Sequence, residues 1–210
     1  MNRRLPAPSV LIVTDRRQLA GGAGGLGPLA DTAFAGGCRW ISLREKDLDA
    51  DAQVELARDL KRRAAAVGGR VTVHGAAEIA LRAGVDGVHL PEAANAAAAR
   101  AVLGEDALIG QSVHTPEQAR DADPAHLDYI IAGPAFATAS KPGYGPWLGA
   151  TGLAVIVQAA RVPVIAIGGI DANSAPVCLA AGAAGVAVMG GVMRAADPAA
   201  EVRALIAALG

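Results

Sequence analysis

The chain has 210 residues, 52% of them apolar and only 3% aromatic, with a formal net charge of -1, which fits one folded domain around a single core. That balance offers no electrostatic footprint for nucleic acid, and no apolar stretch runs for the roughly 18 to 20 residues a membrane helix needs, so neither is expected as a partner. The apolar run at 10–13 behind Arg3 and Arg4 is far shorter than a secretory core of roughly 7 to 15 residues, so a cytoplasmic protein is expected.

In chain order, residues 1–8 are expected as a flexible tail, and a first buried strand covers 10–14. The stretch LAGGAGGLG, 19–27, reads as a flexible loop and a lid, because its glycines trail the strand by several residues. A second strand at 40–43 leads into Arg44-Glu45-Lys46-Asp47 and a helix over 50–67, whose Lys61, Arg62 and Arg63 sit at helical spacing from Glu55 and Asp59 as a solvated face. A third strand, 71–74, ends at His74-Gly75 and runs toward a helix, and a fourth, 87–90, ends at Pro91-Glu92 before a helix over 93–103. The fifth, 108–112, meets His114 and a helix over 115–122 with Thr115 as cap and Pro116 in its first turn. The sixth, seventh and eighth strands, at 129–132, 164–167 and 185–189, precede helices over 152–160, 173–181 and 198–209. Cys38 and Cys178, far apart among small and apolar neighbours, read as reduced core thiols.

Strands that are apolar throughout fit a parallel sheet covered on both faces. The segments AGGCRWISL, AGVDGVHL and AGAAGVAV echo one another, each with Ala-Gly at a helix end and a buried strand behind it. Eight such units predict an α/β fold, a single (β/α)8 TIM barrel over 1–210, shorter than the roughly 250 residues usual for it. An open doubly wound sheet is the alternative, and it lacks a Gly-x-Gly-x-x-Gly turn directly after its first strand.

A barrel keeps its chemistry at the C-terminal ends of its strands. Gly168-Gly169 and Gly190-Gly191 follow strands seven and eight, where uncovered backbone N-H groups would cradle a phosphate; the alternative is that they only permit tight turns. Arg44 and Lys46 alternate along an extended stretch, so both can face the mouth while Glu45 turns aside or bonds the backbone. Their alternative is a surface ion-pair cluster with Glu45 and Asp47. In ATASKPGYG, Thr138, Ser140 and Lys141 supply hydroxyls and a charge on a glycine-bordered loop, either a phosphate clamp or an ordinary solvated loop.

The ordered segments SLREKD, GVDGVHL, IGQSVHT, YIIAGPAFATASKPG and VPVIAIGGI, followed by AAGVAVMGGV, resemble the thiamine phosphate synthase superfamily along nearly the whole chain. The synthases join a hydroxymethylpyrimidine pyrophosphate to a thiazole phosphate, and the resemblance implies Mg²⁺ held by an Asn-Asp pair after strand three and an Asp after strand four. Here those places read His74-Gly75 and Glu92-Ala93-Ala94-Asn95, so no metal is expected. RVTVHGAAEIAL is similar instead to the TenI-type branch, the thiazole tautomerases, which carry His-Gly there and aromatise a carboxythiazole phosphate. Ser112-Val113-His114 matches that branch's catalytic run.

The expected activity is therefore a metal-free, cofactor-free isomerisation of a small phosphorylated thiazole. His114 would move the proton, as an imidazole with a pKa of about 6.5 suits that task. Gly168, Gly169, Gly190 and Gly191 would hold the phosphate, with Arg44 or Lys46 meeting the carboxylate or the developing charge. His74 would shape the pocket with Ser112, Thr138, Ser140 and Lys141 as further substrate contacts. His114 could also simply begin its helix, His89 reads as a satisfied core histidine, and His126 carries no signal. Two other readings stand: a thiamine phosphate synthase, the one case that would require Mg²⁺, and a non-catalytic regulatory barrel that binds a phosphate ligand. The Ala-rich helices are expected to pack against a second copy of the chain.

Overall fold

In a computed structural model, residues 5–19, 25–138 and 146–210 are described. Eight parallel strands close into a barrel in sequential order: β1 (Val10–Val13), β2 (Trp40–Leu43), β3 (Arg70–His74), β4 (Gly87–Leu90), β5 (Leu108–Val113), β6 (Tyr129–Ala132), β7 (Val164–Ile167) and β8 (Gly185–Val188). Closure is made by β1 against β8, with Leu11 beside Ala187. The expected (β/α)8 barrel is thus the observed fold.

Alternation along each strand divides the core in two. Leu11, Val13, Trp40, Leu108, Tyr129, Ile131, Ile165 and Ala187 fill the barrel interior, while the other set packs under the helices. Inside, the Trp40 and Tyr129 rings meet edge to face with centroids 4.8 Å apart, a geometry their quadrupoles favour. A Cβ on Gly110 would fall within the Tyr129 ring, so the smallest residue on β5 makes room for the largest side chain on β6. Thr72 donates its hydroxyl to Ser42 Oγ at 2.9 Å, so these buried hydroxyls are partnered across β2 and β3.

The helices are α1 (Leu26–Ala35), α2 (Ala50–Ala65), α3 (Ala77–Ala83), α4 (Ala96–Leu103), α5 (Pro116–Asp121), α6 (Gly149–Ala159), α7 (Ala175–Ala180), α8 (Gly190–Met193) and α9 (Pro198–Leu209). In α2, Val54, Ala57, Leu60 and Ala64 form the buried stripe, Asp49 caps the start by accepting from Ala52 N, and Arg62 and Arg63 occupy the last turn, where the helix dipole favours positive charge. The Ala-Gly echo has a physical basis at the end of α3, where Gly84 takes φ 65°, a left-handed cap that suits glycine. None of the described helices is long and apolar enough to cross a membrane.

Several local expectations change. The helix α1 begins at Leu26, inside the segment 19–27 expected as loop and lid, of which Ala20 and residues 21–24 lie outside the described residues. In the expected tail, residues 1–4 lie outside the described residues, but Leu5 packs against the interior cluster and Ser9 donates to Pro6 O. The helix expected from 93 starts at Ala96, because Asn95 takes the cap and accepts from Ala98 N.

Candidate active site

The strand tips surround a cavity of about 720 Å³, within the range that takes a small-molecule ligand. Arg44, Lys46, His74, Ser112, His114, Thr138, Gly168, Gly169, Gly190 and Gly191 all line it. Ser140 and Lys141 lie outside the described residues.

Beyond β2 the chain turns at Lys46-Asp47, closed by Leu48 N donating to Glu45 O at 3.1 Å, and Glu45 is buried between a half-buried Arg44 and an exposed Lys46. Its carboxylate is 2% exposed and accepts from Thr14 Oγ1 at 2.7 Å, Arg16 N at 3.0 Å and Arg16 Nη1 at 3.0 Å. Arg16 also forks onto Asp47 at 2.8 and 2.7 Å and holds that carboxyl down at about 2. Both nearby acids are therefore taken by Arg16. Arg44 and Lys46, half-buried and exposed respectively, form no ion pair among the described residues, and both face the cavity. The surface ion-pair alternative does not describe them.

At the β3 tip the His74 ring lies 4.6 Å from that of His89, and its Nε2 is buried without a hydrogen-bond partner. Burial first, then His89, Arg44 and Lys46, hold His74 well below the ordinary imidazole range. Burial pushes His89 down to about 3, and its Nε2 shares a hydrogen bond with Ser112 Oγ at 3.0 Å. Both rings are neutral near pH 7, and of the two it is His89 that makes a side-chain hydrogen bond, to Ser112.

His114 stands between β5 and the capping box of Thr115 and Gln118 that opens α5. Its Nδ1 lies 2.7 Å from Gly133 O, and a carbonyl can only accept, so Nδ1 carries the proton of that bond. This leaves Nε2 facing Glu92, 3.6 Å from Oε2. Glu92 also accepts from Gln118 Nε2, which joins the β4 loop to α5.

On the opposite wall Gly168 and Gly169 take φ 101° and 64°, a region side-chain-bearing residues rarely enter. A Cβ on Gly169 would strike Ala137 O, and Phe136 N donates to Gly168 O at 2.9 Å. These glycines therefore let the β6 loop close over the β7 tip as well as exposing backbone. Gly190 opens α8 and lies beneath the Arg194 guanidinium, which donates to Gln18 Oε1 and also lines the cavity. Sequence reasoning missed Arg194 and the Glu92–His114 contact. Arg194 stands four residues beyond Gly190, one helical turn, a spacing that could have flagged it.

The family model for thiamine monophosphate synthase matches residues 10–192. A Geobacter sulfurreducens protein named "Putative thiamine-phosphate synthase" is 43% identical over 204 residues, covering 96% of this chain and 94% of its own. The thiamine-phosphate synthase of a Roseiflexus species is 38% identical over 210 residues, with 98% and 88% covered. Among solved structures, thiamine phosphate pyrophosphorylase from Pyrococcus furiosus superposes with a TM-score of 0.85 at 27% identity, over 99% of this chain and 96% of that one.

These relatives correct the expectation of a thiazole tautomerase, because synthase names accompany similarity along nearly the whole chain. The tautomerase reading leaned on His74-Gly75 and on His114. Each has a local structural role here, in a buried ring pair and at the entry to a capped helix, so neither outweighs the full-length match. A barrel with this strand order, matched from its first strand through its eighth, places the chain in the thiamine monophosphate synthase family.

Proposed function

We propose that the chain is a thiamine-phosphate-forming transferase, which joins a hydroxymethylpyrimidine carried as its pyrophosphate ester to a thiazole phosphate. The observation that carries this reading is a cavity with two separate anion-binding features. Arg44 and Lys46 stand at the β2 tip, while the Gly168-Gly169 and Gly190-Gly191 backbones with Arg194 stand at β7 and β8. Two phosphorylated substrates need two such places.

In this reaction the bond from the pyrimidine methylene carbon to the pyrophosphate oxygen breaks, and its electron pair leaves on pyrophosphate. The thiazole ring nitrogen supplies the pair for the new C–N bond. Negative charge grows on the leaving oxygen, so fixed cations at that point stabilise the transition state more than the bound ester. Arg44 and Lys46 are assigned that task, and the glycine backbones with Arg194 hold the thiazole phosphate. Ser112 and Thr138 offer hydroxyls for orientation, and the neutral His74 and His89 rings pack beneath the reacting groups without adding charge. His114 presents Nε2 beside Glu92.

The family resemblance implies Mg²⁺, and the donor set of this cavity does not fit it. Mg²⁺ takes near-octahedral oxygen ligands, usually with one or two carboxylates. Among the described lining residues the carboxylates number one, Glu92, which already contacts Gln118 and His114. Among the described residues no three His, Cys, Asp or Glu side chains converge as metal ligands. No step here is routed through the ion.

The test is direct. Purified protein given both substrates in Mg²⁺-containing buffer should release thiamine phosphate and pyrophosphate in equal amounts, followed by chromatography. Intact substrates after prolonged incubation would reject the transferase reading.

A further inference from the structure

Resting on that transferase reading, we infer that this chain holds the leaving pyrophosphate through Arg44 and Lys46 without a divalent cation. Three observations converge. The first is the charge around the cavity: Arg44, Lys46 and Arg194 are its cations and Glu92 its one acid among the described lining residues. A divalent ion placed at the β3 tip would face two positive side chains with Glu92 as the one carboxylate among the described lining residues, whereas a pyrophosphate would meet both cations directly.

The second is the device that aims those cations. Glu45 lies between them and is tied to Thr14 and Arg16 by contacts of 2.7 to 3.0 Å, and Arg44 N donates to Thr14 Oγ1 at 2.9 Å. With Glu45 pinned by these buried contacts, Arg44 and Lys46 on either side of it are both held at the cavity wall. This holds the positive charge in place before a ligand arrives, the same neutralisation a bound metal would otherwise supply.

The third is the backbone at the β3 tip. Gly75 takes φ 120°, a conformation L side chains rarely adopt, so a ligand-bearing aspartate there would be strained even though space is open around it. The departure from a metal site thus lies in the main chain as well as in the side chains. His74 beside it is kept neutral by burial, His89 and the neighbouring cations, so the β3 tip adds neither a carboxylate nor a charge of its own.

The experiment is titration calorimetry of inorganic pyrophosphate into wild-type protein, R44Q and K46Q, each in EDTA and in excess Mg²⁺. Lys46 is exposed and Arg44 half-buried, so both variants should fold, as circular dichroism will verify. The expected result is a wild-type Kd in EDTA within about threefold of that in Mg²⁺, with binding in EDTA weakened at least tenfold in each variant. Binding that needs Mg²⁺, binding in neither buffer, or variants that bind as wild type does would each overturn the inference. Thiamine phosphate formation, assayed in the same two buffers, separates this from the parent reading. Product only with Mg²⁺ would sink the inference and keep the transferase. No product in either buffer, with metal-free pyrophosphate binding intact, would sink the transferase and keep the anion site.

Discussion

The two rims of the barrel use the same side chains in opposite ways. At the N-terminal rim Arg100 pairs with Asp128 at 2.7 Å, both side chains nearly fully buried, and Asp128 also accepts from Ile109 N at 2.9 Å. Asp86 likewise accepts from Val71 N at 2.7 Å while bonding Lys61 at 2.6 Å. Each of these carboxylates clips the start of a neighbouring strand and is answered by a cation. At the C-terminal rim Arg44 and Lys46 have no such answer among the described residues, and the neighbouring acids Glu45 and Asp47 belong to Arg16. Charge neutralised at one end serves stability, and charge left open at the other is what the proposed transferase would use on its anionic substrate.

Substitutions can break this contrast, and the largest effect is expected at the stabilising rim. Asp128→Ala leaves the Arg100 charge buried without its partner, a loss of about 3 to 5 kcal/mol in folding free energy, read from urea denaturation, with turnover of the folded fraction unchanged. Next, Arg44→Gln at the open rim should lower kcat/KM for thiamine phosphate formation by roughly 10² to 10³. Its denaturation midpoint should stay close to wild type, since the Arg44 side chain forms no ion pair among the described residues whose loss would cost stability.

Glu45→Gln sharpens the comparison because Glu45 belongs to both roles. It weakens charge-assisted bonds to Thr14 and Arg16, costing about 1.5 to 3 kcal/mol, and releases the aim of Arg44 and Lys46. A raised KM together with lowered stability is expected, whereas Arg44→Gln moves activity alone. The smallest effect is an acid one. His89 has its pKa lowered to about 3 in the folded protein, so the unfolded chain binds a proton near pH 6.5 that the native state refuses. Stability therefore falls as pH drops from about 6.5 toward 3. His89→Gln should remove about 1 kcal/mol of the loss between pH 6.5 and 5.5, measured by denaturation at both values.

Much of the frame was readable as pattern. The eight apolar runs mark all eight strands to within a residue or two, because a strand buried on both faces writes its burial directly into local composition. Arg44 and Lys46 were legible as a pair from alternation, and the start of α5 from Thr115 and Pro116. Other elements were less legible: the helix beyond His74-Gly75 is expected without bounds and spans seven residues, and α1 begins inside a glycine-rich run that reads as loop, because glycine carries no helical pattern. The branch of the family is not legible in the same way: the absence of metal carboxylates at His74-Gly75 and beyond strand four points to the tautomerases, whereas the relatives similar along nearly the whole chain carry synthase names.

Strand order, the barrel and the residues at its mouth follow from repeats of period two and near four, which are properties of neighbours along the chain. Which acceptor answers which cation does not. Glu45 meets Arg16 across 29 positions and Arg194 meets Gln18 across 176, and such pairings exist only once β1, β2 and β8 lie side by side. Whether a charge is quenched or left for a ligand depends on what surrounds it in three dimensions, since Coulomb interaction and desolvation act through distance and burial rather than through order in the chain.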